Sequence, residues 1–345
     1  MSRPNCVARF VRGTPHTLQI LTGLLDLRHQ GEIDLDIALI APTAQSWSFV
    51  VEVELERAGS ATRHIAYDLQ DGIFDPAVPV NGEFLERIDL FFARSYRPGA
   101  YGEYEAKVRP LGLNYAVRPR WRDTHCALLA SGGSMKDIAR AWVSPNRRPR
   151  PAGFYEASPS RADDGTVLFL TRVWEPTGVV DSDAVNLTRV ACVRALAAHL
   201  GPRFVGGLAP TPFAQREYPD LVVPASVYRR AAFRAAVGRA AVCVTTEGLG
   251  HSNGWKLTEY VAASKAIVSE PHYYQVPGPF AANENYLPFA TPDECVAQVE
   301  RLLADPDLRW QIGVSNESYY RGFVRADVLV HATLQDADPS AIRNL

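Results

Sequence analysis

The stretch that decides the fold runs from Thr245 to Phe289 and reads TTEGLGHSNGWKLTEYVAASKAIVSEPHYYQVPGPFAANENYLPF. An apolar strand over Val242–Thr245 leads into a turn rich in glycine and polar residues, Glu247–Gly254. A helix over Trp255–Ser264 follows at once, and a short strand over Ala266–Ser269 follows the helix. A strand, a helix and a strand in this order predict a parallel sheet. The ligands of such sheets bind beyond the carboxyl ends of the strands, where this turn lies.

The turn and the first helical residues carry groups that suit a phosphorylated ligand. Backbone amides at a helix start, together with the helix dipole, favour a phosphate, and Lys256 in the first turn adds a point charge. Glu259 follows one turn later on the same face and can accept hydrogen bonds from sugar hydroxyls. The alternative is a structural turn with a Ser/Asn cap and a surface pair of Lys256 and Glu259, because glycine-rich turns are common.

Strands and helices alternate over the rest of the chain as well. The pattern predicts a helix from Leu18 to near Gly31 and a helical C-terminal region broken near Arg325. The other predicted strands are Val7–Val11, Asp36–Ala41, Phe49–Leu55, His64–Tyr67, Asp89–Ala93, Leu113–Val117, Thr166–Thr171 and Arg203–Gly207. The other predicted helices are Leu187–Leu200, Val227–Val237 and Pro292–Ala304, with Leu187 on the inner side of the first. The alternation indicates the α/β class, with parallel sheets covered on both faces.

One segment interrupts this pattern. Over Ser144–Asp164, prolines alternate with arginines, serines and aspartates, which is typical of a domain boundary. We therefore predict an N-terminal Rossmann-like domain at 1–145, a linker at 146–164, a second Rossmann-like domain at 165–320 and a helical tail at 321–345 that packs back on the first domain.

The composition of the 345 residues excludes several classes of protein. An apolar share of 47% and a charged share of 21% are those of a folded protein, and a formal charge of −2 gives no field that recruits nucleic acid or anionic membrane. The five cysteines are scattered without a C-x-x-C pair, which argues against a disulfide framework or a structural zinc site and fits a reducing compartment. We find neither a signal peptide nor a run of about 20 apolar residues, so we predict a cytoplasmic location, with peripheral membrane association left open.

The stretch resembles the donor-nucleotide-binding region of GT-B-fold glycosyltransferases, especially the group called glycosyl transferases group 1. That family has a glutamate, a Ser-Phe-Gly-like turn and a second glutamate eight positions after the first. In this chain Ser252-Asn253-Gly254-Trp255 occupies the turn, and Glu259 matches the second glutamate. The position eight before Glu259 holds His251, whereas Glu247 lies twelve positions before it and fits only if the turn carries an insertion.

Further segments match the family in the expected order. They are Val167–Arg172, Ala262–Val268, Asn283–Phe289, Thr291–Glu294 and Leu302–Gly313. The first ends in Arg172, at the position of an arginine that contacts donor phosphates in the family. The second has Ser264 in place of a glycine and Lys265 at the matching lysine. The resemblance spans Val167–Leu334 and implies the GT-B architecture: α/β, with two Rossmann-like domains facing a cleft and a helical C-terminal tail.

The resemblance also implies how the site is built. Metal-independent GT-B enzymes stabilise the departing diphosphate with a helix N-terminus and basic side chains, without a bound cation or cofactor. This role falls to Arg172 and Lys256, with the amides of Asn253–Trp255. The first glutamate position faces the donor sugar and the second faces the ribose. The implied donor-binding residues are Glu247, His251, Ser252, Asn253, Gly254, Trp255 and Glu259.

The first half, which binds the acceptor in this architecture, has its own candidates. Gly13, Thr14 and His16 follow the first strand. His16 can act as a general base or acceptor contact, or be a surface histidine at a helix start. Asp68 and Asp71 are rival bases, or simply turn residues. An inverting enzyme needs such a base and a retaining one does not, and the fold resemblance favours retention.

The segment Arg94–Arg122 interleaves arginines with aromatic residues. Such a mix can bind single-stranded nucleic acid, stack sugar rings or form a half-buried surface. Because the net charge is near zero and no domain is basic, nucleic acid is not expected. An acceptor surface for a glycan, a lipid-linked or a nucleotide-like acceptor is the better prediction.

We therefore expect a glycosyltransferase that uses a nucleotide-sugar donor, such as a UDP- or GDP-sugar, with no cofactor and no metal. The sugar, the acceptor and the oligomeric state are not predicted. The alternative is a glycosyltransferase-like binding protein without transfer activity, because His251 replaces a carboxylate. A dinucleotide oxidoreductase is disfavoured, since no G-x-G-x-x-G follows the first strand.

Overall fold

A computed structural model describes residues 3–11, 14–40, 49–72, 82–119, 149–176 and 182–339. The chain divides into two compact units: unit 1 is Met1–Ala152, Tyr274–Pro277 and Arg321–Leu345, and unit 2 is Gly153–Tyr273 and Gly278–Tyr320. Each unit holds a sheet with α-helices, so the predicted α/β class is confirmed. The cysteines in these ranges are free thiols, namely Cys6, Cys192, Cys243 and Cys295.

Strands and helices alternate over the described ranges. The α-helices are α1 (Leu18–Gln30), α2 (Gly82–Arg87), α3 (Ser182–Leu200), α4 (Pro212–Glu217), α5 (Arg230–Arg239), α6 (Trp255–Ala262), α7 (Pro292–Ala304), α8 (Pro306–Tyr319) and α9 (Ala326–Ala337). The strands are β1 (Asn5–Phe10), β2 (Asp34–Leu39), β3 (Val50–Glu56), β4 (Arg63–Asp68), β5 (Leu90–Ala93), β6 (Val108–Pro110), β7 (Val117–Arg118), β8 (Arg150–Pro151), β9 (Val167–Thr171), β10 (Phe204–Leu208), β11 (Val242–Thr245), β12 (Ala266–Ser269) and β13 (Leu287–Pro288). Helix α5 begins later than the predicted Val227–Val237, because Ala225–Tyr228 forms a 3₁₀ turn.

The main sheet of unit 1 has the strand order β2-β1-β3-β4-β5-β6 and is mixed. Strand β3 runs antiparallel to both β1 and β4, while the remaining pairs are parallel. The prediction of a parallel sheet is therefore wrong for β3. Residues 57–62 join β3 to β4, and this connection is too short for the crossover that parallel neighbours require.

The predicted strand Leu113–Val117 is also largely wrong, since only Val117 belongs to a strand, β7. Tyr115 is nevertheless fully buried, and Asn114 Nδ2 donates a hydrogen bond to Gln19 Oε1 of α1 at 2.8 Å. The apolar run is buried beside α1 without pairing in the main sheet. Periodicity alone does not separate these two situations.

Helix α9 packs on α1 within unit 1. The approach is close, because a Cβ at Gly23 would lie 2.2 Å from the carbonyl oxygen of the first residue of α9. Tyr67 of β4 is fully buried, and its hydroxyl lies 2.8 Å from the hydroxyl of Thr333 on α9. The predicted break near Arg325 is confirmed, since a π-turn at Tyr320–Val324 separates α8 from α9.

The sheet of unit 2 is parallel throughout, in the order β10-β9-β11-β12-β13. Its core joins apolar residues of these strands to α3 and α7. The prediction that Leu187 faces inward is wrong, because this residue is 65% exposed. Helix α3 turns a partly polar face inward, with Asn186, Arg189, Val193 and Leu196 buried. Strands β9, β11 and β12 are neighbours, so their carboxyl ends meet at one edge of the sheet.

Candidate functional site

A turn with an uncommon backbone conformation connects β11 to α6. The amide of Gly248 donates to the Ser252 carbonyl at 2.7 Å, and Gly250 and His251 both have φ angles of 60°. Gly254 then precedes α6, and no side chain caps the helix. The N-terminus of α6, the positive end of its dipole, therefore follows directly from the carboxyl edge of the sheet.

Positive charge collects around this helix start. Burial, followed by the charge of Arg189, lowers the pKa of Lys256 to about 8, and the charge of Arg172 acts in the same direction. The Lys256 ammonium lies 5.8 Å from the centre of the Tyr228 ring. Among the residues that the structure describes, the charged groups of Lys256 and of the exposed Arg172 have no hydrogen bond or ion pair. Clustered cations without carboxylate partners form a site that an anion can neutralise.

Arg189 of α3 joins the segments that follow two strands. Its Nε donates to Thr246 Oγ1 at 2.8 Å, its Nη1 to the Arg172 carbonyl at 2.7 Å and its Nη2 to the Glu247 carbonyl at 2.5 Å. The guanidinium lies 4.3 Å from the centre of the Trp174 ring. Burial lowers the pKa of Arg189 to about 9. Apolar spacing along α3 did not single out Arg189, because its partners Thr246 and Glu247 lie far away in the sequence.

Glu259, expected to contact the ribose, is only 4% exposed. Its Oε1 accepts a hydrogen bond from Arg230 Nη1 of α5 at 2.5 Å. The alternative prediction of a surface pair between Lys256 and Glu259 is therefore wrong. A buried carboxylate needs a partner in contact, and Arg230 provides it.

The two residues left open for the sugar-facing position contact each other. His251 Nδ1 lies 2.7 Å from Glu247 Oε2, and the His251 ring stacks on Tyr273 with the ring centres 4.6 Å apart. Glu270 Oε2, after β12, accepts from the Glu247 amide at 2.8 Å, and burial raises the pKa of Glu270. A carboxylate thus lies beside His251, although none stands eight positions before Glu259.

The remaining donor-side candidates line the turn and the helix start. Ser252 and Asn253 are buried, while Gly254 and Trp255 are half-buried. Asn253 Oδ1 lies 2.9 Å from Nδ1 of His272, which follows β12. Burial lowers the pKa of His272 to about 4, so its imidazole is neutral and Nδ1–H donates to Asn253. The turn is therefore held from the neighbouring strand as well.

Ser264 and Lys265, at the end of α6, have structural contacts. Ser264 adopts a φ of 52°, a conformation that favours glycine, and its hydroxyl donates to the Ala157 carbonyl at 2.6 Å. The matching family position is a glycine, which fits this backbone. Lys265 Nζ donates to the Gly238 carbonyl at 3.1 Å, at the end of α5. Neither residue reaches the cations around Lys256 through these contacts.

In unit 1, three candidate side chains lie together. Arg94, 3% exposed, donates through Nη1 to Asp71 Oδ1, and the same nitrogen lies 3.4 Å from His16 Nδ1. Burial lowers the pKa of His16, the charge of Asp71 raises it and that of Arg94 lowers it. Burial also raises the pKa of Asp68, at the end of β4, to about 6. His16 is half-buried and lies two residues before α1 begins.

Thr14 precedes these residues and holds the start of α1. Its amide donates to Thr17 Oγ1 at 3.0 Å, and the Thr17 hydroxyl donates to the Thr14 carbonyl at 3.1 Å. Thr14 therefore has a local structural contact. Gly13 lies outside the described residues.

The described part of Arg94–Arg122 is mostly buried or half-buried. The rings of Tyr96 and Tyr101 stack with centres 6.1 Å apart, and the Tyr96 hydroxyl donates to Glu105 Oε1 at 2.8 Å. Residues 120–122 lie outside the described ranges. Of the three interpretations of this segment, its described contacts favour a half-buried surface.

Comparison with known proteins bears on the second half of the chain. Residues 191–335 match a family model described as glycosyl transferase-like. The predicted resemblance is confirmed over this part of the chain, which contains α6 and the turn before it. No curated protein matches the chain.

Several solved structures are similar to the chain at low identity. They include the C-terminal domain of a glycosyl transferase group 1 family protein, LpcC, from Francisella tularensis (12% identity, covering 53% of this chain and 97% of that one, TM-score 0.32). HepE from Anabaena in complex with UDP and glucose is 10% identical over 90% of this chain and 88% of that one, with a TM-score of 0.36. Sucrose-phosphate synthase from Thermosynechococcus elongatus is 13% identical over 95% and 94%, with a TM-score of 0.40. Because these TM-scores are low, we base the functional proposal on the residues of the site.

Two further features are absent from the described residues. No helix in these ranges is long and apolar enough to cross a bilayer. In the same ranges, no three His, Cys, Asp or Glu side chains are placed to hold a metal ion.

Proposed function

We propose that the chain is a glycosyltransferase that moves a sugar from a nucleotide-sugar donor, such as a UDP- or GDP-sugar, to a hydroxyl group of an acceptor. The observation that carries the proposal is the cation group of Lys256, Arg172 and Arg189 at the start of α6. A diphosphate brings two negative groups close together, and it suits a helix N-terminus flanked by cations. The family match over residues 191–335 points to the same class of ligand.

Carboxylates near this cation group suit the two parts of such a donor that carry hydroxyl groups, namely the transferred sugar and the ribose. Glu247 and His251 form a hydrogen-bonded pair on the loop side, and Glu259 lies one turn into α6. Carboxylate oxygens accept hydrogen bonds from sugar hydroxyls. We assign the donor sugar to Glu247 and His251 and the ribose to Glu259, with the diphosphate held by the cations.

The transfer step needs stabilisation of the leaving group. The bond from the anomeric carbon to the diphosphate oxygen breaks, and its electron pair leaves with the diphosphate. The acceptor hydroxyl oxygen bonds to the anomeric carbon, and its proton passes to the departing diphosphate if configuration is retained, as we propose. Arg172, Lys256 and the start of α6 stabilise the charge that builds on the diphosphate.

We propose that unit 1 binds the acceptor through the group of His16, Asp71 and Arg94. If the reaction inverts configuration instead, His16 is our first candidate for the base, because the low pKa of its imidazole keeps it unprotonated near neutral pH. The stereochemistry of the product, read by NMR of the new glycosidic bond, decides between the two.

We further propose that the reaction is independent of metal ions. Two aspartates separated by one residue can bind a metal ion, and such triplets occur at Asp34–Asp36 in β2 and at Asp305–Asp307 at the start of α8, for example. Neither of these two triplets lies in the turn before α6. Turnover in EDTA equal to turnover in Mg²⁺ or Mn²⁺ supports the proposal, and loss of turnover in EDTA that the metal restores contradicts it.

A thermal-unfolding panel with UDP, GDP, ADP, dTDP and NAD tests the proposed class of ligand. We expect at least one nucleoside diphosphate to raise the unfolding temperature. The rise should grow with the ligand concentration relative to its Kd. K256A should lose most of this stabilisation, whereas R216A, an exposed cation on α4, should keep it. Stabilisation by NAD alone, or by none of the five, would overturn the proposal.

The second candidate function is a nucleotide-sugar-binding protein without transfer activity. It is favoured by His251 at the position where the family has a glutamate. We prefer the active enzyme because Glu247 brings a carboxylate into contact with His251. Binding of a nucleoside diphosphate without hydrolysis or transfer of the matching sugar nucleotides would identify the inactive form.

A further inference from the structure

Arg189 carries an inference that rests on the proposed nucleotide site. We propose that Arg189 is a positioning residue that ties the loops after β9 and β11 together and holds a positive charge behind the bound diphosphate. It belongs to neither loop, since it lies on α3. Its contribution therefore reaches the ligand through the residues that it holds.

The first observation is the distribution of its hydrogen bonds. One of them reaches Arg172, at the end of β9, and the other two reach Thr246 and Glu247, after β11. Arg172 and Glu247 are the residues that we assign to the diphosphate and the sugar. Because the guanidinium fork is planar and rigid, it fixes the spacing of these two loops more firmly than a lysine ammonium would.

The second observation is that α3 holds the loop after β9 at two further points. The Trp174 amide donates to Asn186 Oδ1 at 3.0 Å, and Asn186 Nδ2 donates to the Trp174 carbonyl at 2.7 Å. The Trp174 ring also lies on the Arg189 guanidinium, 4.3 Å from ring centre to Cζ. Helix α3 therefore anchors both the backbone and the side chain of Trp174 in this loop.

The third observation is the charge of Arg189 itself. It is 6% exposed, yet the partners of its three hydrogen bonds are neutral carbonyl and hydroxyl oxygens. Within the described residues no carboxylate forms an ion pair with it, and Glu270 acts only at longer range. A buried charge is costly unless an opposite charge balances it. A diphosphate between Arg172 and Lys256 would supply that balance.

Equilibrium binding of UDP to the full chain, with R189M, R189K and R194M, tests the proposal. Arg194 is the matched control, because it lies on the same helix with 56% of its side chain exposed and a surface bridge to Asp220 at 3.5 Å. We expect R189M to weaken UDP binding by about 100-fold, on the scale of the affinity lost when a group that orients metal ligands is removed. We expect R189K to lose about 10-fold, because it keeps the charge without the fork. R194M should bind as the wild type does.

The pH dependence of UDP binding gives a readout that a merely structural role would not move. Lys256 is faced by Arg189 from α3, Arg172 after β9, Arg230 from α5, Glu259 on α6 and the ring of Tyr228. Removing the Arg189 charge should raise the pKa of Lys256. The pH at which UDP binding weakens should then move upward in R189M and stay in place in R189K.

The outcomes separate this inference from the proposed function. If the wild type binds none of UDP, GDP, ADP and dTDP, both fail. If the wild type binds UDP and R189M binds it equally well with the same pH midpoint, only the positioning role fails. If R189M does not fold, T246V removes one acceptor at 2.8 Å and keeps the charge. Wild-type binding by both T246V and R189K would then overturn the positioning role.

Discussion

The charge of Lys256 should destabilise the unliganded protein, and K256M measures by how much. The pKa of this lysine falls from 10.5 to about 8 on folding, mainly through burial. The shift corresponds to about 3 kcal/mol at neutral pH, since one pKa unit is about 1.4 kcal/mol. Loss of the cation–π contact with Tyr228 offsets up to about 1 kcal/mol. We therefore expect K256M to raise the free energy of unfolding by about 2 kcal/mol at pH 7.

The sign of the pH dependence follows from proton binding. Between about pH 8 and 10.5 the unfolded state holds the Lys256 proton and the folded state does not, so the wild type gains stability as the pH rises. In urea unfolding at pH 7, K256M should have a higher free energy of unfolding than the wild type. At pH 10 this difference should nearly vanish. R194M removes the same charge from the surface and should show neither effect. A K256M protein less stable than the wild type at pH 7, or an advantage independent of pH, would refute the reasoning.

The low number of lysines allows a direct check. The chain has four, Lys107, Lys136, Lys256 and Lys265. Reductive ¹³C-methylation gives each one a separate NMR signal, and K256R identifies that of Lys256. We expect it to titrate near pH 8 in the free protein and higher with UDP bound, because a bound anion favours the charged ammonium. Titration near the ordinary lysine value in the free protein would contradict the cation cluster.

The remaining predictions concern the turn before α6, the packing of α9 on α1, and unit 1. H251A should lower turnover of the sugar nucleotide by about 100-fold, measured as initial rates, and should leave the UDP affinity measured by titration calorimetry unchanged. A loss of UDP affinity would place His251 at the phosphates instead. G23A should cost about 1–3 kcal/mol in urea unfolding, because its Cβ would lie 2.2 Å from the α9 backbone, whereas G322A, with open space around its Cβ, should cost less than half as much. D71N should lower the pKa of His16 in a histidine NMR titration, because the Asp71 charge raises it; an unchanged pKa would mean that the two do not interact.

The start of α6, where we propose the nucleotide binds, was predictable because its signals are local. A buried strand, a glycine-rich turn and a helix are read from neighbouring residues, and α6 begins at Trp255 as predicted. The matching strand Ala266–Ser269 also has the predicted bounds. The same run made Lys256 a candidate, because a lysine in the first helical turn adds positive charge where the helix dipole already favours an anion.

The contacts around that helix start were not predictable, because they join distant parts of the chain. Arg189 meets Thr246 and Glu247 only when α3 packs beside β11. Leu187 is exposed although apolar spacing put it on the inner side of α3, and the same spacing gave no sign that Arg189 is buried. The meeting of His251 with Glu247 depends on two consecutive positive φ angles, which residue spacing does not reveal. Strand direction at β3 likewise depends on the length of one connection.

The packing of α9 on α1 has a consequence for synthesis of the chain. Unit 2 is nearly continuous, so its parallel sheet and most of its helices can assemble as soon as residues up to Tyr320 are available. Unit 1 cannot complete its core at that stage, because Leu329, Val330 and Leu334 of α9 belong to it. On a ribosome, the face of α1 that α9 covers would stay exposed while the second half of the chain is synthesised. Aggregation and chaperone binding of the nascent chain should therefore concentrate on the part made first.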